Sequence, residues 1–254
     1  VQSLKKSIMS THKTAMILAA GKGTRLEKLT AKKPKALVEV NGICLIDRVI
    51  KKLVQAGFTH FVINVHHFAN QLIEHLKTAD YQHLKIDISD ESTKLLETGG
   101  GILKARHFFS DSQYVLVHNV DILTNLDFET ICSEFEKSAD EAWLLTQNRI
   151  STRKLLFQKQ QLIGWHHIHK NVFKWVNDSQ PYYTELAFSG IHLFKPKLFE
   201  PFTVQHCSVI DLYLELAKSN QIKSKEINPE FWFDIGKINE YEAIEHYFKQ
   251  IENN

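Results

Sequence analysis

With 254 residues the chain is long enough to bury one good core, and 43% hydrophobic with 24% charged residues is the balance of a globular protein. A formal net charge of +2 is too small to argue for nucleic acid or a membrane surface as partner, and the apolar runs fall well short of the roughly 18 residues that a membrane span needs. Cys44, Cys132 and Cys207 are odd in number, far apart and without a C-x-x-C pair, which argues against a zinc site or disulfide framework and for reduced thiols in the cytoplasm.

Residues 1–13 contain no apolar h-region. We set them apart as an N-terminal extension or cloning remnant, since Met9-Ser10 would make a natural start, and expect residues 14–254 to form a single domain. The first element is the apolar run Met16-Ile17-Leu18-Ala19-Ala20, a buried strand that runs into Gly21-Lys22-Gly23-Thr24-Arg25. After the turn signal Asn41-Gly42, Leu45, Ile46, Val49, Ile50, Leu53 and Val54 recur at helical spacing, closed by Ala56-Gly57. Strands follow at Phe61–Val65 and Leu84–Ile88, with a helix between them marked by Leu72, Ile73 and Leu76. Gly99-Gly100-Gly101 introduces a short helix, Tyr114–His118 a central strand, Phe128–Phe135 a helix and Ala142–Thr146 a strand. This rhythm predicts an α/β fold, a mostly parallel mixed sheet with helices on both faces.

The second half changes character. Leu155–Phe157 and Leu162–Trp165 read as a β-hairpin, inserted over one end of the sheet, and 166–184 as polar, aromatic and irregular. Leu186–Phe194 is a strand, Val209–Leu216 a helix and Ile238–Ile251 a closing helix. Neither a Pro/Gly/Ser linker nor an internal repeat interrupts the chain. His166, His167 and His169 lack a carboxylate or thiol nearby in sequence and read as a polar face.

The chemistry concentrates in the first loop. A strand ending in a glycine-rich turn exposes backbone N–H groups, and an Arg and a Lys nearby suit a polyphosphate. The loop is neither a P-loop, which needs G-x-x-x-x-G-K-[ST], nor a dinucleotide fingerprint, because Leu26 stands where the third small residue belongs. Two aspartates, Asp121 in Asn119-Val120-Asp121 and Asp234 in Phe233-Asp234-Ile235-Gly236, each follow an apolar run and so belong at strand ends, where open α/β sheets bind ligands. Hard carboxylate oxygens of this kind suit magnesium.

The pattern L-A-A-G-x-G-T-R-L, followed by L-T and then Pro34-Lys35, resembles the signature of the sugar-1-phosphate nucleotidyltransferases. The string Leu96-Glu97-Thr98-Gly99-Gly100-Gly101-Ile102 resembles the N-acetylmuramate 1-phosphate uridylyltransferases and mannose-1-phosphate guanylyltransferase-like proteins within that family. The resemblance implies a Rossmann-like, GT-A-like nucleotide-diphospho-sugar transferase fold. It implies transfer of a nucleoside monophosphate from a triphosphate to a sugar 1-phosphate, with Mg²⁺ as cofactor and release of pyrophosphate. By resemblance Arg25 and Lys35 are catalytic. Ala19, Ala20, Gly21, Gly23, Thr24, Glu97, Gly99, Gly100 and Asn119 bind nucleotide, Thr98, Ser189 and Gly190 bind sugar, and Asp121 and Asp234 hold the metal. The chain departs from the pattern at Lys28 and Ala36, where Pro is common, and at Val120, where Gly is usual. UTP with N-acetylmuramate 1-phosphate is the expected substrate pair. The alternatives are a guanylyltransferase acting on mannose 1-phosphate and a regulator that binds nucleotide sugar without turnover. The expected partners are these small molecules, with no nucleic acid and no membrane, for a cytoplasmic monomer or small homo-oligomer.

Overall fold

The computed structural model describes residues 12–78, 81–178, 182–236 and 238–252. In chain order the first half is β1 (Lys13–Leu18), β2 (Glu39–Val40), β3 (Ile43–Cys44), α1 (Leu45–Gln55), β4 (His60–Val65), α2 (Ala69–Thr78), β5 (Lys85–Asp90), α3 (Glu97–Ala105), β6 (Tyr114–Asn119), β7 (Ile122–Thr124) and α4 (Phe128–Lys137). The second half is β8 (Ala142–Gln147), β9 (Arg153–Gln158), β10 (Gln161–His167), β11 (Val172–Trp175), β12 (Thr184–Phe194), α5 (Val209–Leu216), β13 (Ile222–Glu226), β14 (Trp232–Asp234) and α6 (Ile238–Glu252). Residues 1–11 lie outside the described residues. Lys13, assigned above to the extension, already opens β1 in register with Tyr114, and its Nζ donates to the Ala56 carbonyl at 2.8 Å.

β5, β4, β1 and β6 lie side by side, all parallel. Each central strand is apolar on both sides because each face of the sheet is covered by helices. Ala15 and Ile17 of β1 pack with α1, α2, α4 and α6, whereas Met16 and Leu18 pack with α3 and α5. Beyond β6 the direction changes. β12 runs antiparallel to both β6 and β8, β13 is parallel to β8, and β10 is antiparallel to β13 and β11.

The hairpin predicted around 155–165 forms as β9–β10, but it joins the sheet rather than covering its end. β12 is eleven residues long, and beyond an irregularity between Phe188 and His192 its first residues pair with β9. The stretch read as irregular is also more ordered than expected, since β10 runs through His167 and β11 pairs back on it. His167 and His169 do not share a strand face, because residues 168–170 form a 3₁₀ turn. His166 Nδ1 meets Glu185 at 2.8 Å, a carboxylate close in space and distant in sequence.

The hairpin turn is Lys159-Gln160, with φ of 48° and 68°. Two left-handed residues in a two-residue loop match the twist of the strands, but only glycine adopts that φ without strain. Gln160→Gly is therefore expected to stabilise the protein by about 1 kcal/mol, seen as a higher urea midpoint. An unchanged or lower midpoint would contradict that account.

Candidate active site

Three elements converge at the carboxyl ends of β1 and β6. The strand β1 ends at Leu18, and Ala19 and Ala20 then turn off the sheet, their N–H groups donating to Asn64 Oδ1 at 2.7 and 3.3 Å. Gly21 has open space where a side chain would stand. Gly23 has φ +63°, and a Cβ there would lie 2.8 Å from Thr30 Cγ2 and 3.3 Å from Lys35 Cβ. Its role is to let the loop fold down over Thr30 and Lys35, where the Thr30 hydroxyl donates to its carbonyl at 3.0 Å. Thr24 and Arg25, both exposed, open a 3₁₀ turn rather than an α-helix.

Lys35 is not the solvated loop lysine that its neighbours Lys32 and Lys33 suggest. It is 7% exposed, and its Nζ contacts Asp121 Oδ2 at 2.5 Å. Asp121 follows β6 at the point where the chain leaves the main sheet. There β7 pairs antiparallel with β14, with Asp234 opposite Ile122, and the Ile235 N–H donates to the Asp121 carbonyl at 2.9 Å. This short ribbon brings together two aspartates that are distant in sequence. Val120, the departure from the family glycine, is compatible with the turn: it does not take a left-handed φ and its side chain is buried in the core.

Asp234 is electrostatically loaded. Burial, and then the charge of Asp121, push its carboxyl above the usual range, and Lys35 and Arg25 offset this only in part. Its Oδ1 is buried without a hydrogen-bond partner, an unsatisfied oxygen of the kind a cation would meet. Gly236 keeps the space between that oxygen and Arg25 open, since a Cβ there would stand 3.1 Å from both. His118, fully buried beneath Asp121, is pushed down to about 4 by burial and is neutral at pH 7, so the Asp121 charge is met by Lys35.

The raised pKa makes a stability prediction. The native state holds the Asp234 proton more tightly than the unfolded chain, so its contribution to stability declines as pH rises from the unfolded value through the folded one. Without divalent metal, Asp234→Asn is expected to gain stability over the parent as pH rises above the ordinary carboxylate value of about 4. Urea titrations in chelator check this, and an advantage that does not grow with pH would contradict it.

A cleft of about 400 Å³ opens beside Asp121, lined by Ala20, Gly21, Asn64, Glu97, Thr98 and Asn119 among others, with Arg153 at its edge. A second, of about 510 Å³, lies against Asp234 and holds Arg25, Arg149 and Trp232. The guanidinium of Arg149 stacks 4.1 Å from the Trp232 ring and donates to the Phe188 carbonyl at 3.0 Å.

Several expected ligand contacts are instead made by the chain itself. Gly99 and Gly100 lie inside α3, and their N–H groups donate to the Cys207 carbonyl at 2.9 and 3.2 Å. A Cβ on Gly100 would sit 2.2 Å from the Gln205 carbonyl oxygen. The close approach that the glycines permit is thus used by the segment before α5, and the N–H groups of Ala19, Ala20, Gly99 and Gly100 are not free to read a base. Thr98 lines the cleft, but its hydroxyl accepts from the Val209 N–H at 3.0 Å. Ser189 is fully buried, with its carbonyl accepting from Trp232 Nε1 at 3.0 Å. Gly190, at φ +81°, makes room for Asn119, whose Nδ2 would be 2.9 Å from a Cβ there. Ser189 and Gly190 therefore back the walls rather than form them. Glu97 is half exposed at the cleft with φ +60°. Asn64, Glu91, Arg149 and Arg153 were not anticipated. A polar residue inside the apolar run Phe61–Val65 was the available signal for Asn64.

Away from the cleft, Cys44, Asp47 and His75 bring donor atoms within 4.8 Å of one another. Asp47 Oδ1 is already bonded to His75 and Tyr81 at 2.8 and 2.7 Å, and burial, Asp47 and Glu39 push the Cys44 thiol up to about 11. The group ties α1 to α2 and to Tyr81.

A family model described as nucleotidyl transferase matches residues 14–154. The chain belongs to the nucleotidyl transferase family. It is 32% identical to an N-acetylmuramate alpha-1-phosphate uridylyltransferase of Caulobacter vibrioides over 88% of this chain and 92% of that protein. It is 29% identical to the protein of the same description from Neisseria meningitidis, over 88% and 93%. A mannose-1-phosphate guanyltransferase beta-A of Xenopus laevis is 24% identical over 89% of this chain but 62% of that protein. Among solved structures, the inositol-1-phosphate CTP transferase from T. maritima superposes with a TM-score of 0.71 at 16% identity over 94% of this chain and 97% of that one. This likeness confirms the mixed α/β fold. The enzyme is a nucleotidyltransferase of the type that acts in nucleotide-sugar biosynthesis. Among the described residues no helix is long and apolar enough to cross a membrane.

Proposed function

We propose that this protein transfers the uridylyl group of UTP to N-acetylmuramate 1-phosphate in the cytoplasm, releasing pyrophosphate. The observation that carries the reading is the convergence of Lys35, Asp121 and Asp234 beside the Gly21 loop. The choice of UTP and of the sugar follows the 32% and 29% identical uridylyltransferases. N-acetylmuramate carries a carboxylate in addition to its phosphate, and Arg149 and Arg153 stand at the two clefts, which suits an acidic sugar.

The reaction is an in-line displacement. An oxygen of the sugar phosphate attacks the α-phosphorus, and the bond from that phosphorus to the bridging oxygen breaks, its electron pair leaving with pyrophosphate. A phosphate monoester with its second pKa near ~6 is largely a dianion at neutral pH, so no general base is needed. The work left to the protein is positioning and charge stabilisation. Lys35, aimed by Asp121, faces the charge on the α-phosphate, and Arg25 faces the rest of the triphosphate. Asp121 and Asp234 would hold magnesium: both are hard oxygen donors, and Asp234 Oδ1 has no protein partner. When bound, the metal neutralises phosphate charge as a Lewis acid.

A matrix of the four nucleoside triphosphates against N-acetylmuramate, N-acetylglucosamine, glucose and mannose 1-phosphates, read as pyrophosphate release with magnesium, tests this. The expected result is fastest turnover with UTP and N-acetylmuramate 1-phosphate. GTP with mannose 1-phosphate as the best pair would replace it with the guanylyltransferase reading, and nucleotide-sugar binding with no turnover in any pair would replace it with a regulator.

A further inference from the structure

β4 is a buried strand, and Asn64, 3% exposed, sits near its end. Both ends of its amide are engaged. Oδ1 accepts from the N–H groups of Ala19 and Ala20, and Nδ2 donates to Glu91 Oε1 at 2.7 Å. Glu91 has no exposed surface, and its Oε2 accepts from the Leu96 N–H at 3.0 Å. Gly101 of α3 makes the arrangement possible, because a Cβ there would stand 2.8 Å from Glu91 Oε1 and 2.9 Å from Asn64 Nδ2.

The two ends of this relay are the two sides of one cleft. Ala19 and Ala20 lead into Gly21, and Leu96 precedes Glu97, which is held at a left-handed φ. The relay also has a polarity. A carboxylate only accepts, so Asn64 must turn its amino group toward Glu91 and its oxygen toward the alanine N–H groups. Shape alone would not decide this, since an amide fits either way round.

We infer that Asn64 and Glu91 are a positioning pair that holds the Ala19–Gly21 loop and the Leu96–Glu97 turn in register for the nucleoside triphosphate, with Glu91 setting the direction of the Asn64 amide. This rests on reading the cleft as the nucleotide site. Neither side chain touches the reacting atoms.

The test is a swap of acid and amide. In Glu91→Gln the glutamine oxygen takes the Leu96 N–H, and its amino group then faces that of Asn64. If Asn64 turns to relieve this, it presents an amino group to the Ala19 and Ala20 N–H groups. Loss of these bonds is expected to raise the KM for UTP about tenfold, with the KM for sugar phosphate and kcat changed much less. In the double variant that combines Asn64→Asp with Glu91→Gln, every bond is restored with the same net charge. The carboxylate introduced at position 64 accepts from both alanine N–H groups and from the glutamine amide, so the KM for UTP should return to within about twofold of the parent.

Calorimetric binding of UTP with magnesium, beside circular dichroism, separates the outcomes. Glu91→Gln with parental KM, or a double variant no better than the single one, overturns the inference. Should Glu91→Gln not fold, the double variant must fold and bind as the parent does, and its failure overturns the inference equally. Failure of the parent to bind UTP, or any other nucleoside triphosphate, overturns the reading of the cleft and this inference with it. Parental binding in every variant overturns the inference alone.

Discussion

Asp121→Asn and Asp234→Asn enzymes are expected to lose nearly all turnover while keeping their fold. Metal-borne charge neutralisation of several kcal/mol, taken as about 4, corresponds to roughly a 10³-fold loss of rate. The two variants should differ in stability. Asp234→Asn removes a buried carboxylate that burial and Asp121 both disfavour, so the metal-free protein should be as stable as the parent or more so. Asp121→Asn deprives Lys35 of the carboxylate 2.5 Å from its Nζ and should cost about 1–3 kcal/mol. Pyrophosphate release and urea unfolding read the two effects separately. Normal turnover of both variants with magnesium would show that the aspartate pair is not the metal site.

Lys35→Ala is expected to lower kcat by about 10²–10³-fold, the usual cost of removing one preorganised charge donor at a transition state. Its stability cost follows from burial. An exposed lysine would contribute almost nothing, but Lys35 is 7% exposed and paired, and its loss leaves Asp121 and Asp234 without their shared cation. A loss of about 1–3 kcal/mol is expected, and magnesium should restore part of it. Lys35→Arg should not rescue the rate, since a planar fork does not fit the place of a compact ammonium ion. Arg25, exposed on the adjoining turn, should behave differently, with Arg25→Ala raising the KM for triphosphate more than it lowers kcat. An unchanged kcat in Lys35→Ala would remove that lysine from the proposed chemistry.

The strands of the parallel half were legible because β1, β4 and β6 are short apolar runs and β5 alternates, with 3.6-residue periodicity marking α1 and α2 between them, whereas their order in the sheet has no signature along the chain. The antiparallel half was harder. β13 is Ile-Lys-Ser-Lys-Glu, with one buried apolar residue, Ile222, and nothing in that pattern marks a strand inside a sheet. β7 and β14 are three residues each, too short for any period. The ligand-facing glycines were the weakest reading. A glycine signals only that something comes close, and at Gly99, Gly100 and Gly190 that something is the Cys207 carbonyl, the Gln205 carbonyl and the Asn119 amide. Lys35 is set apart from its neighbours in the sequence by Pro34, but its burial depends on the Gly23 loop closing over it, a contact invisible along the chain. The Asn64–Glu91 pair is long-range for the same reason.

The ribbon of β7 and β14 also bears on how the protein is made. Synthesis from the N-terminus can lay down β1, β4, β5 and β6, with the Gly21 loop, Lys35 and Asp121, long before Asp234 leaves the ribosome. Until Trp232–Asp234 aligns along Ile122–Thr124, the second carboxylate has no place beside the first. A polypeptide released early, or clipped ahead of β14, would keep much of its sheet yet hold only half of the acidic pair. Catalytic competence in this enzyme thereby waits on synthesis through β14.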